Sequence, residues 1–374
     1  MRPLFLLLFL FFSITGHAQL EKTEAKIIES MQKNEVVGLS VAVIKGSDLV
    51  YNHSFGKKSI EENTDLTNED IFRIASISKS FAATAIMQLV EAKKLSLDDD
   101  FGKLVGFEIK NPKYPETKIT LRMVLSHTSS INDSQGYFNL DAINPSKNPN
   151  WEKCYTDKQP GTAFLYCNLN YNMVGAVIER TTGQRFDSYI KQHILNPLNL
   201  YGGHCVDSLD GKKFASLYEY ENKTFKLAAA AYAPRREELA TYQLGYSTPI
   251  LSPTGGVKIS AADLAKYMAM HLHYGKVNGV KIISKKSSKL MQTPVNQEAA
   301  YGLALSLSNK LIDGKQLVGH TGSAYGLFSA MFFDPKEKFG IVIITNGTGP
   351  SSKDGFKSII KETYNILYQD VIKN

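Results

Sequence analysis

Residues 73–91, RIASISKSFAATAIMQLVE, put Ile77, Phe81, Ala85 and Leu89 on one helical line and Ala82, Ile86 and Val90 on the next. That spacing predicts a helix apolar on most of its faces, and such a helix is buried. The same period continues through the middle of the chain. SAADLAKYMAMHLHYG reads as a helix capped by Ser260, and NYNMVGAVIERTTG as one ended by Gly183. Elsewhere the period changes. VVGLSVAVIK and DLVYNHSFG, separated by Gly46 and Ser47, read as a hairpin with a two-residue turn. Four strand-like runs crowd the C-terminal part: YGLALSLS, QLVGH, YGLFSAMFF and the unbroken FGIVIIT. Short connections such as Asp313-Gly314 favour antiparallel pairing, and Ile341 to Ile344 is expected to be buried on both faces.

These patterns predict an α+β fold without internal repeats. An antiparallel sheet is built from both chain ends, about 19–75 and 250–374, and a mainly helical region, about 76–249, is inserted between them. The terminal helices LEKTEAKIIESMQ and KSIIKETYNILYQ flank the sheet, and long Pro/Asn-rich loops such as Asp141 to Gly161 separate the inner helices.

The ends of the chain add a location. Residues 1–18 carry Arg2, run apolar from Leu4 to Phe12 and close on Gly16 and Ala18, which predicts a cleavable secretory signal peptide cut near Ala18-Gln19. The apolar run is shorter than the roughly 20 residues that cross a bilayer. A secreted or periplasmic protein with no stable membrane anchor, one domain over residues 19–374, is the expectation. Lys plus Arg number 43 against 36 Asp plus Glu, a mild excess with no basic block, so nucleic acid is not expected as a partner. Three cysteines, Cys154, Cys167 and Cys205, allow at most one internal disulfide and exclude a disulfide scaffold.

The buried-looking helix has a lysine, Lys79, in its first turn among serines. Desolvating an ammonium costs several kcal/mol unless it is paired or loses its proton. An unperturbed lysine is neutral in only about one molecule in 2,500 at pH 7, whereas burial lowers its pKa by several units and makes a base that can activate a serine. Ser76 lies one turn away, and the helix N-terminus offers free N–H groups to an oxyanion. S-x-x-K occurs five times, at Ser30, Ser54, Ser76, Ser188 and Ser358, so the pattern alone is weak; only Ser76 opens a buried helix. Y-x-N occurs at Tyr137, Tyr166 and Tyr220, and only Tyr166-Cys167-Asn168 sits between a Pro-Gly turn and a helix. His320-Thr321-Gly322-Ser323, at the end of a strand, is the one His-Thr-Gly. G-x-S-x-G, G-x-x-x-x-G-K-[ST] and H-E-x-x-H are absent, and His271 and His273 fall on different sides of their helix, so neither a metal nor a cofactor is expected.

S-I-S-K at Ser76, Y-C-N at Tyr166 and H-T-G at His320, in this order, resemble the three active-site motifs of the penicillin-recognising serine hydrolases: class C β-lactamases, DD-peptidases and their esterase relatives. LSHTSSI, PGTAFLYCN and SPTGGVKISAADLAKYM are similar to framework segments of that family, and the likeness runs from about Val36 to Gly347. It departs at Ser130, where glycine is usual, and at Cys167, where serine is usual. The resemblance implies the β-lactamase/DD-peptidase-like fold and an acyl-enzyme on Ser76, with Lys79 and Tyr166 sharing the proton transfers. It places the oxyanion hole at the backbone N–H groups of Ser76 and Ser323. Asn168, His320, Thr321 and Gly322 would bind a small-molecule or peptide substrate, peptidoglycan-derived peptides included, and deacylation would fall to Tyr166 with Lys79. A D-alanyl-D-alanine carboxypeptidase, a class C-like β-lactamase and a non-turnover penicillin-binding or sensor protein are the alternatives. His320 with an unperturbed pKa would be protonated about a quarter of the time at pH 7, a weak anchor for a carboxylate, unless Arg235 or Arg236 supplied the charge.

Overall fold

A computed structural model describes residues 19–373. The expected leader, residues 1–18, lies outside the described residues. Seven strands, β1 (Gly38–Lys45), β2 (Asp48–Ser59), β3 (Thr64–Asp65), β4 (Ser306–Ser308), β5 (Leu317–Ala324), β6 (Leu327–Asp334) and β7 (Phe339–Gly347), form one sheet in the order β4-β5-β6-β7-β1-β2-β3. Each neighbouring pair is antiparallel. The turn between β1 and β2 is the two residues Gly46 and Ser47, with Lys45 opposite Asp48 and Gly46 at φ +64°. Five helices matter for the site and its support: α1 (residues 19–33), α2 (Ser78–Glu91), α3 (Asn168–Thr182), α4 (Ala261–Leu272) and α5 (Ser358–Leu367).

Alternation along the central strands divides the core. Val41, Val43, Ile341, Ile343 and Phe332 pack with Ile27 and Met31 of α1 and with Ile359, Ile360 and Leu367 of α5. Ala42, Ile44, Val342, Ile344 and Phe333 share the opposite cluster with Leu264 and Met268 of α4 and with the inserted helical region. The expectation that Ile341 to Ile344 is covered on both faces therefore holds. Tyr364, fully buried on α5, donates its hydroxyl to the Ile341 carbonyl (2.5 Å) and accepts from the Phe332 N–H (3.1 Å), tying that helix to two strands. Ser260 caps α4 by accepting from the Asp263 N–H, and α3 ends at Gly183 in the left-handed region (φ +69°).

Three expectations need correction. YGLALSLS contributes only Ser306–Ser308 as strand, and Asp313-Gly314 lies within a longer connection rather than a tight hairpin. The strand read as ending at His320 runs on through Ser323, so His320 to Ser323 form the C-terminal half of β5, because the ladder with β6 continues to Ala324 opposite Leu327. Residues 73–77 are not part of the α-helix. Phe72–Arg73 pairs as a short strand with Lys258–Ile259, Ala75 takes φ +48°, and Ala75–Ile77 forms a 3₁₀ turn before α2 begins. Pairing with a segment nearly two hundred residues away in sequence outweighs the helical period, a tertiary effect that local spacing does not contain.

Candidate active site

Ser76 owes its position to the left-handed kink at Ala75, of the kind that costs about 1–3 kcal/mol in a non-glycine residue. Strand β5 crosses this turn closely. A Cβ on Gly322 would come within 2.2 Å of the Ile74 carbonyl oxygen and 2.5 Å of Ser329 Oγ, so only glycine lets the strand approach. The approach closes a cleft of about 610 Å³ whose wall includes Ser76, Tyr166, Asn168, Thr254, His320 and Ser323.

Lys79 is fully buried beneath Ser76. Its Nζ donates to Ser76 Oγ (3.1 Å), Asn168 Oδ1 (2.9 Å) and the Thr254 carbonyl (2.9 Å), one acceptor for each ammonium proton. Burial lowers its pKa to about 7, while the charge of Asp133 resists the fall. At pH 7 about half of the molecules then carry a neutral amine. A neutral amine keeps two protons and gains one lone pair. The Asn168 and Thr254 oxygens are carbonyls and can only accept, so both protons stay with them and the lone pair faces the Ser76 hydroxyl, the one neighbour able to donate.

Tyr166 completes the other side of Ser76. Both side chains line the cleft, and desolvation of the hydroxyl raises the phenol above its ordinary pKa, with the Ser76 hydroxyl opposing. Lys79 Nζ lies 4.8 Å from the centre of its ring. At neutral pH Tyr166 is a proton donor and Lys79 the available base.

Asn168 opens α3, and the residue before it, Cys167, supplies no side-chain cap. The cap comes from Asp133, a residue that sequence reasoning missed. Its carboxylate accepts from the N–H groups of Asn168 and Leu169 and from Asn168 Nδ2, each at 2.9 Å, and from Cys167 Sγ at 3.1 Å. This fixes the Asn168 amide with its oxygen toward Lys79 and Thr254 Oγ1. Cys167 points away from the cleft, fully buried, with its thiol raised well above the usual range by burial and by Asp133. Cys154, Cys167 and Cys205 are all buried free thiols. His127 of LSHTSSI, also missed, is buried among Phe164, Tyr166, Tyr171 and Tyr301, and its Nδ1 accepts from the Cys167 N–H (3.1 Å). Ser130 takes φ +63°, the conformation glycine adopts freely, and its hydroxyl accepts from Asn111 Nδ2 (2.9 Å), so the loop keeps its shape without glycine.

His320 departs from the partly charged state expected of it. Its Nδ1 lies 2.5 Å from the Thr321 carbonyl, which can only accept, so Nδ1 carries the proton and Nε2 accepts from Tyr301 Oη at 3.1 Å. Burial and then the charge of Lys79 push its pKa down to about 4. At pH 7 the ring is neutral and anchors no carboxylate. Three of the other S-x-x-K lysines face elsewhere: Lys33 pairs with Glu362, Lys57 with Asp65 and Lys361 with Asp354. Among the described residues no group of three or more His, Cys, Asp or Glu side chains is placed to hold a metal, and no helix is long and apolar enough to cross a membrane.

Fold and cleft together define a β-lactamase-type serine hydrolase framework. The chain belongs to the Beta-lactamase family, whose model matches residues 23–361. It is similar to Protein flp of Staphylococcus aureus (25% identical over 337 residues, 86% of this chain) but spans only 62% of that protein's length. It is also similar to Penicillin-binding protein 4 of Amycolatopsis lactamdurans, 25% identical over 91% of this chain and 89% of that one. Among solved structures, an octameric penicillin-binding protein homologue from Pyrococcus abyssi superposes with a TM-score of 0.73, at 28% identity, over 94% of this chain and 77% of the other. The D-amino acid amidase of Ochrobactrum anthropi shares the fold at a TM-score of 0.72 and 18% identity, over 95% and 99% of the two chains.

Proposed function

We propose that this protein is an exported serine hydrolase that forms an acyl-enzyme on Ser76 and cleaves ester or amide bonds of small acyl substrates. The observation that carries the reading is the three-way hold on Lys79, which leaves the lone pair of its neutral amine facing only the Ser76 hydroxyl. Ser76 Oγ adds to the substrate carbonyl as its proton passes to Lys79, and the N–H groups of Ser76 and Ser323 receive the oxyanion. Collapse breaks the bond to the leaving alcohol or amine, which takes a proton from Tyr166, itself reprotonated from Lys79. Water then adds to the acyl group, its proton passing to Lys79 through Tyr166, and Lys79 returns a proton to Ser76 Oγ as that oxygen leaves as the hydroxyl. Asn168 and the edge of β5 at Thr321 and Gly322 align the acyl group. With His320 neutral, the carboxylate of a β-lactam or a D-Ala-D-Ala peptide finds no cation on β5, so neutral esters and amides are favoured over both.

The test compares kcat/KM for p-nitrophenyl hexanoate, nitrocefin and a D-Ala-D-Ala peptide. The ester should be the best of the three, and Ser76→Ala should lower its turnover by at least about a thousandfold with Tm unchanged. Wild-type turnover in that variant would assign the chemistry to another residue. A permanent adduct with labelled penicillin and no ester turnover would make the protein a sensor or penicillin target.

A further inference from the structure

Behind the cleft, a second short sheet places two basic residues side by side. Arg73 and Lys258 are register partners on antiparallel strands, and Gly203, on the other edge of Lys258, is followed by His204. Directly opposed residues project from one face with Cβ atoms about 5 Å apart, and like charges so placed repel. Arg73, His204, Arg235 and Lys258 line a narrow recess of about 40 Å³ that shares Arg73, Tyr137, Phe138, Ser252 and Tyr325 with the Ser76 cleft. No Asp or Glu lines it; the one acidic residue on the cleft wall, Glu219, is outside it.

Arg73 and Lys258, the register partners, are met by neutral groups. The Arg73 guanidinium donates to the carbonyls of Gly255 and Ala231 and to Ser252 Oγ. Lys258, 3% exposed, donates to the His204 carbonyl. His204, 2% exposed, has no partner at either ring nitrogen. The acidic groups nearby are engaged elsewhere: Asp207 accepts from the Arg235 backbone N–H, Glu238 pairs with the Arg235 side chain at the surface, and Asp187 pairs with Arg185. Burial, then the charge of Arg73, holds Lys258 well below the usual lysine range. Buried cations without a counter-ion are costly, and an incoming anion with hydrogen-bond acceptors relieves both the repulsion and the unpartnered imidazole.

We propose that this cavity is a subsite for a carboxylate carried by the substrate away from its scissile bond. The volume suits one carboxylate rather than a ring, a water needing at least roughly 10–15 Å³ on the same scale. The preferred substrates are then esters or amides with an acidic group at the far end of the acyl chain. This rests on the acyl transfer at Ser76 proposed above, and it places the substrate charge at Arg73 and Lys258 rather than beside His320.

The experiment measures kcat/KM for mono-p-nitrophenyl adipate and p-nitrophenyl hexanoate, which differ in the terminal carboxylate. Wild type should favour the adipate ester by about tenfold or more, Lys258→Met should reduce that ratio by about tenfold, and Lys258→Arg should restore most of it. A wild-type preference for the hexanoate ester, or a ratio unmoved by Lys258→Met, overturns the subsite while leaving Ser76 in place. Adipate binding to Ser76→Ala protein, followed by calorimetry, reads the subsite without turnover. Binding lost in Lys258→Met supports it, and no binding in the parent protein overturns it even if neither ester is cleaved.

Discussion

Replacing Asp133 with asparagine separates the charge that tunes Lys79 from the contacts that place it. The carboxylate reaches Lys79 through the Asn168 amide, 2.9 Å on either side. Across that path the two charges are no more than about 8 Å apart. At an effective dielectric of about 20 a pair at this separation interacts by about 2 kcal/mol, or about one and a half pKa units. Burial lowers the Lys79 pKa and Asp133 raises it, to a net value of about 7. Losing the anion therefore moves it further down, to about 5.5.

The sign follows from the role of the amine. Ester kcat/KM rises with pH as Lys79 loses its proton, so the acid limb, centred near pH 7 in wild type, should move in Asp133→Asn to about pH 5.5. The same substitution turns an amide N–H₂ toward donors that Asp133 now satisfies, at a cost of about 1–3 kcal/mol in stability, read as a lower Tm. The assay is a pH profile of ester kcat/KM in both proteins at a temperature where both are folded. An acid limb that stays near pH 7, or moves upward, would refute the assignment of Lys79 as the titrating base.

Two further substitutions probe the framework. Cys167→Ser should keep ester kcat/KM within about tenfold, because a serine hydroxyl can make the same bond to Asp133 and the thiol does not face the cleft; a hundredfold loss would give the thiol a part in turnover. Ser130→Ala keeps the positive φ but loses the bond to Asn111, so chemical denaturation should show a loss of about 1 kcal/mol, and an unchanged midpoint would mean that this bond contributes nothing.

The apolar run at Ile341 to Ile344 and the helical lines around Lys79 were legible because their periods report burial directly. The meeting of Ser76, Lys79, Tyr166 and Asn168 was legible only through the resemblance; spacing alone left five candidate serines. Asp133, His127 and Lys258 were not legible. Asp133 caps a helix that begins 35 residues later, and Lys258 faces Arg73 across a pairing only two residues long. Such contacts are set by where the chain returns, and neither hydrophobic period nor propensity records that. His320 was misjudged for a related reason: its charge depends on the burial of the strand that holds it and on Lys79 nearby.

The pairing of β1 with β7 also constrains how the molecule can assemble. Val41 faces His53 across a local hairpin and Ile343 on its other edge, the second partner separated from it by roughly three hundred residues of chain. The β1–β2 hairpin can form soon after it is synthesised, yet the β7 side of β1 stays an open, apolar edge until nearly the whole polypeptide exists. Chains cut short before Phe339 would carry that edge permanently, and strand-to-strand association between such fragments, rather than slow unfolding of the finished protein, is the expected route to aggregation.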